Sequence, residues 1–160
     1  DCVETLPCHS SLRHELGFAG ERLVSVLAEF DGFHGGAHGL HGSSGHLWDR
    51  RLGRAIGFRD LFTSWERARP LLQRKLCEDL RSRRPDNPEI ECPSIDDVAI
   101  GLSDRSGIPT GGRADSFEVR TSDYQLGSYA DGRETLSIEA DAGVLALVKP
   151  EYRGEFRTYD

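Results

Sequence analysis

The chain has no long apolar run, no surplus of positive charge and no cysteines paired at zinc-knuckle spacing, and each absence removes a class of function. The longest apolar stretch, Val144 to Val148, is five residues, far short of the roughly 20 that a membrane-crossing helix needs. No membrane span is expected within this chain. Lys and Arg number 20 against 27 Asp and Glu, a net charge of −7, which argues against non-specific attraction to nucleic acid or anionic lipid and would steer a cationic partner towards the surface. The basic residues between Arg67 and Arg84 are a local exception, read as the solvated face of a helix.

Catalytic signatures are missing too. Gly42-Ser43-Ser44-Gly45 lacks the spacing of a nucleophile elbow and reads as a turn. Ser106 to Gly112 is glycine-rich but has no G-K-[ST] ending, so a hairpin connection is expected in place of a phosphate loop. Asp96-Asp97 and Asp86/Glu89 sit in polar, turn-rich sequence where solvated carboxylates are the default. The expectation is a protein without catalytic activity and without a cofactor.

Four cysteines, Cys2, Cys8, Cys77 and Cys92, form an even set without C-x-x-C pairs, which favours disulfides over zinc. A Cys77 to Cys92 bridge would pin the proline-rich excursion after a helix back onto that helix, worth about 3 kcal/mol by loop entropy. Cys2 and Cys8 could then close a small N-terminal loop, with pairing to another chain left open. Disulfides place the protein in an oxidising compartment, periplasmic or secreted. The start of the chain lacks a charged n-region and an apolar h-region, so it reads as a mature or trimmed protein.

At 160 residues, 37% hydrophobic and 29% charged, one domain with a real core is expected. Residues 12 to 33 read as one or two strands, and the glycine and histidine stretch from Gly32 to Gly45 as a loop. Leu47-Trp48-Asp49 and Ala55 to Phe58 make a plausible hairpin around Leu52-Gly53-Arg54. Thr63 and Glu66 have capping-box spacing, so a helix should start near Ser64, with Pro70 either kinking it or starting a fresh segment. Leu72, Leu76 and Leu80 give that helix one apolar stripe, and Arg84-Pro85 end it. Strands follow at Val98 to Leu102, Ser116 to Arg120 and Thr135 to Glu139, then a short helix Ala142 to Val148 capped by Asp141 and terminated by Pro150. The fold class is α+β, a mainly antiparallel sheet packed with one longer helix and a short C-terminal helix. Residues 1–19 are taken as an N-terminal segment and 20–160 as the domain.

Two segments can carry recognition. His34, His38, His41 and His46 lie close together and could surround zinc or copper, but their spacing is unspecific and only Asp31 and Asp49 are nearby carboxylates; structural or incidental histidines are the simpler reading. Asp123 to Gly132 combines Tyr124, Gln125 and Tyr129 with turn formers, a composition suited to a contact surface, against which stands the reading that both rings merely cover the core edge.

Taken in order, Gly35-Gly36-Ala37-His38, Trp48-Asp49 through Gly53-Arg54, Asp60-Leu61-Phe62, Phe117 leading to Tyr124, Gly127, Tyr129 and Gly132, and Lys149-Pro150-Glu151-Tyr152 to Phe156 resemble an extracytoplasmic domain of unknown function. That domain ends RsiV-type anti-sigma factors and occurs in some peptidoglycan deacetylases. The resemblance covers roughly residues 20 to 156, and Cys77 and Cys92 resemble cysteines of its Gram-negative members. It implies a mixed α/β fold without catalysis, and binding of lysozyme or another basic, cell-wall-associated protein through Tyr124 and Tyr129. Two further readings stay open: a metal-binding protein using the histidine loop, and an accessory domain of a cell-wall enzyme.

Overall fold

The computed structural model describes residues 8–104 and 112–158. Two antiparallel meanders form its frame. The first sheet has four strands in sequence order, β1 (His9–Ala19), β2 (Leu23–Phe33), β3 (Leu40–Asp49) and β4 (Arg54–Ile56). The second has three, β5 (Ala99–Ser103), β6 (Ser116–Arg120) and β7 (Thr135–Glu139). One long helix, α1 (Trp65–Arg83), and two single turns, α2 (Ala142–Leu145) and α3 (Pro150–Arg153), complete the expected α+β domain.

The edge of the second sheet runs into the inner face of the first, with β5 against β1, β2 and β3. Glycine makes this approach possible. A Cβ on Gly45 would lie 2.0 Å from the Ile100 carbonyl oxygen, and one on Gly17 would lie 2.7 Å from that of Leu102. Ser25 Oγ accepts the Leu102 amide at 2.8 Å, so the edge of β5 is not left unpaired in the core. At the opposite edge Asp79 of α1 does the same for β7, accepting the Ser137 amide at 2.9 Å.

Ala68, Leu72, Leu76 and Leu80 line the buried side of α1 as the stripe predicts. Phe117 of β6 is the centre of an aromatic core, with Phe58, Phe62 and Phe156 rings 5.2 to 6.2 Å away. Cys77 and Cys92 are disulfide-bonded. Gln73 reinforces that tether, donating to the Pro93 carbonyl at 2.9 Å and accepting the Ile95 amide at 2.8 Å. Cys2, and with it the expected bridge to Cys8, lies outside the described residues, as does most of the Ser106 to Arg113 turn.

Four expectations need correction. The Gly32 to Gly45 stretch is not a loop: β2 runs to Phe33 and β3 begins at Leu40, because glycine here allows sheets to approach and does not merely loosen the chain. Helix α1 is capped by Ser64, whose side chain accepts from the Arg67 amide, while Thr63 is turned to the Leu147 carbonyl. The helix then passes through Pro70, still near its start. The predicted Ala142 to Val148 helix stops at Leu145, and Pro150 opens a new turn at the first helical position, where its missing N–H has no partner to lose.

Candidate functional site

Strand alternation sorts the hairpin residues by face. On the inner face of β2 and β3, Glu29 opposes Ser43 and Asp31 opposes His41. Towards its tip the hairpin outruns β5, so these polar residues line an open groove closed on its far side by the segment 121–135. That groove has a volume of about 430 Å³ and is lined by Glu29, His41, Arg120, Asp123, Tyr129 and Arg133, among others. A neighbouring depression of about 300 Å³ shares Glu29, His41 and Arg133 with it.

The segment after β6 docks on β3 through its backbone. Asp123 Oδ2 accepts the His41 amide at 2.6 Å, the Asp123 amide donates to the His41 carbonyl at 3.2 Å, and Ser122 Oγ accepts the Ser43 amide at 3.0 Å. The His41 ring is held between two carboxylates, with Nδ1 3.1 Å from Asp123 and Nε2 2.7 Å from Asp31. An imidazole with a carboxylate at each nitrogen turns no lone pair towards the Ser43 hydroxyl. Ser43 Oγ has no hydrogen-bond partner among the described residues.

Above the groove the tyrosine segment and the Gly-Gly-Ala-His turn close on each other. Tyr129 stacks on His38 with ring centroids 3.8 Å apart, and the Tyr124 hydroxyl lies 2.8 Å from His38 Nε2. Tyr124 is the only non-glycine residue with positive φ, 66°, among the described residues, a conformation that costs an L-residue roughly 1 kcal/mol or more. Such strain persists only where the surroundings impose it. Here Gly127 and Gly132 at positive φ, and Asp131 accepting both the Ser128 amide and hydroxyl at 2.6 and 2.7 Å, fix the loop that carries it. Half of Tyr124 remains exposed.

Charge of both signs lines the groove walls, Glu29, Asp123 and Glu134 against Arg120 and Arg133. Arg13's hydrogen bond, opposed by burial and aided by Arg120, holds the Glu29 carboxyl below its usual range. Arg120 is itself surrounded by Glu15, Glu29 and Glu118 at 2.6 to 3.2 Å. Asp31 is 45% exposed beside its contacts with His9 and His41.

The sequence-predicted residues therefore separate. Tyr124, Tyr129, His38 and His41 come together. Gln125 is spent on structure, its Oε1 accepting the Ser122 amide and its Nε2 donating to the Asp97 carbonyl, both at 2.7 Å. The four histidines do not converge on one point, because His41 and His46 lie five residues apart on one strand and so face opposite sides of the sheet. The His46 ring hydrogen-bonds to Ser44, 3.0 Å away. No group of His, Cys, Asp or Glu arranged to hold a metal ion occurs among the described residues. The carboxylates that fix His41 were the missed members, and strand alternation from Asp31 to Glu29 is the signal that places two of the groove's acids on one face.

No protein-family model and no curated protein matches this sequence. Its fold does match solved structures. A DUF3298 family protein from Pseudomonas aeruginosa superposes with a TM-score of 0.60 at 16% identity, over 92% of this chain and 63% of that one. A member of the same family from Bacteroides fragilis gives 0.66 at 15% identity, over 96% and 59%. At these identities the likeness is one of fold, to a domain of unknown function as the resemblance implied. The chain spans about three-fifths of the length of each.

Proposed function

We propose that the protein is a non-catalytic, extracytoplasmic binding module that captures a basic protein partner, of lysozyme-like or cell-wall-associated kind, at the groove beneath its tyrosine loop. The observation that carries this reading is the docking of the Tyr124 to Tyr129 loop on the His38 turn, which fixes two tyrosine rings together, with Tyr129 on a groove lined by Glu29 and Asp123 and Asp31 in the depression beside it. Large rings already fixed in place lose little entropy on binding. A lysine or arginine from the partner meets partly exposed carboxylates beneath them, and the net charge of −7 favours its approach. His41, tied at both ring nitrogens, is a brace for the groove. The Cys77 to Cys92 bridge supports an oxidising location.

Calorimetric titration with a chicken-type lysozyme tests the reading, at low and at physiological salt, with Tyr124→Ala and Tyr129→Ala beside the native chain. Saturable heat that persists at physiological salt and weakens at least about tenfold in either variant is the expected result, the scale of a well-packed tyrosine anchor. Heat that disappears with salt would mark generic charge attraction and sink it.

A further inference from the structure

The distal half of the long hairpin is patterned inside out. Every charged residue of β1, β2 and β3 lies on the inner, groove-bearing face: Arg13, Glu15, Glu29, Asp31 and Asp49. The outer positions, alternate residues 10–16, 24–32 and 40–48, include no Asp, Glu, Lys or Arg. In their place stand Leu12, Leu16, Val26, Phe30, Leu40 and Trp48, with His14 and His46 between them. Leu12 is 62% exposed, Leu40 54% and Trp48 47%. The strand that packs on this sheet, β5, lies on the other side. An antiparallel sheet with one solvated face normally sends its polar residues there; this one presents an uncharged apolar face, the mark of a surface that is covered in an assembly.

We infer that this face packs against the same face of a second copy, two sheets meeting back to back with both grooves turned outward. Charge selects that occupant. At a net charge of −7, two copies repel through most of their surfaces, and this face, without charged residues on its outer positions, meets itself without opposing like charges. Its size fits a weak pair. Three strands of about ten residues span roughly 15 by 33 Å, about 1,000 Å² for two copies, which is the lower bound for a specific interface. The dimer is therefore concentration-dependent. It leaves the proposed binding groove free and doubles it, so a surface displaying several basic sites is held by avidity.

Sedimentation equilibrium of the oxidised chain between ~10 and ~500 µM, the range of a small interface, tests the inference. A rise from monomer to dimer mass is expected, with at least about a tenfold weakening in Leu12→Glu/Trp48→Glu and less than about twofold change in Leu52→Glu, whose side chain is equally exposed but sits in the β3–β4 turn. Amide exchange on the native chain gives a variant-free check: protection at residues 10–16 and 40–48 should grow with concentration. Monomer mass throughout, including a monomer that partitions onto lipid vesicles, overturns the inference, as does self-association that the double substitution leaves intact.

Discussion

Two carboxylates sit at opposite ends of the same face of one hairpin, and they have opposite fates. Asp49, at the base, is fully buried and makes five contacts: Arg22 Nε and a second Arg22 nitrogen at 2.9 and 2.8 Å, the Tyr152 hydroxyl at 3.0 Å, and the Arg51 and Leu52 amides at 2.8 and 3.1 Å. Burial alone would raise its pKa, but Arg22, the Leu52 amide, Tyr152 and the Arg51 amide together pull it down to about 2. Asp31, near the tip, is 45% exposed and its carboxylate pairs with His9 and His41 among the described residues. A buried charge has to be fully satisfied within the fold; a half-wet one keeps lone pairs for a ligand. The base of the hairpin is where charge holds the chain together, and the tip is where charge is left available.

The largest expected effect follows at the base. Asp49→Ala strands the Arg22 guanidinium, only 12% exposed, and the Tyr152 hydroxyl, and should cost about 3 to 5 kcal/mol in a denaturant titration. That is a large fraction of the stability of an ordinary domain. The same group sets an acid limit. Its folded pKa lies below the ordinary 3.8, so its stabilisation is complete above that value and is lost as pH falls towards about 2. Thermal melts between pH 5 and pH 2 should show a decline that is shallower in Asp49→Ala, the remainder coming from other carboxylates held below their usual range, Glu29 and Asp141 among them. A native-like melt for Asp49→Ala would erase the difference between base and tip.

That contrast also explains what was readable in the sequence. The α1 stripe, the strand positions after Val98 and the Cys77 to Cys92 tether follow from periodicity and spacing, which are local. The histidine stretch was misread because the use of Gly45 depends on Ile100, 55 residues away, whose carbonyl it must let approach. Likewise His41 looked incidental since its two carboxylates come from a neighbouring strand and from a loop 82 residues on. Tyr124 and Tyr129 were visible as a composition, but the turn they close on, and the diversion of Gln125 to the backbone, are tertiary facts.

At the tip the comparison can be sharpened within one ring. Asp123 and Asp31 flank the same imidazole, yet the Asp123 side chain is only 5% exposed and also accepts the His41 amide. Asp123→Ala leaves that part-buried amide without its acceptor and should cost about 1 to 3 kcal/mol, with faster amide exchange through 121–125. Asp31→Ala breaks an exposed contact and should cost less than about 1 kcal/mol, while weakening capture of the basic partner. Equal stability losses for the two would mean that exposure does not sort the groove's acids into brace and contact.

The smallest effect concerns the strain at Tyr124. If the loop holds this ring for recognition, the fold gains nothing from a side chain at φ 66°, and removing it by two routes should separate backbone from ring. Tyr124→Ala keeps the left-handed conformation and loses the contact with His38. Tyr124→Gly loses the same contact but relieves the backbone, since glycine adopts positive φ freely. The glycine variant should therefore be the more stable of the two by about 1 kcal/mol, close to the native chain, and should bind the basic partner no better than the alanine variant. Stability without binding in Tyr124→Gly would assign the strain to function; an alanine variant as stable as the glycine one would mean that the loop relaxes out of the left-handed region once the ring is gone, and that His38 alone holds it there.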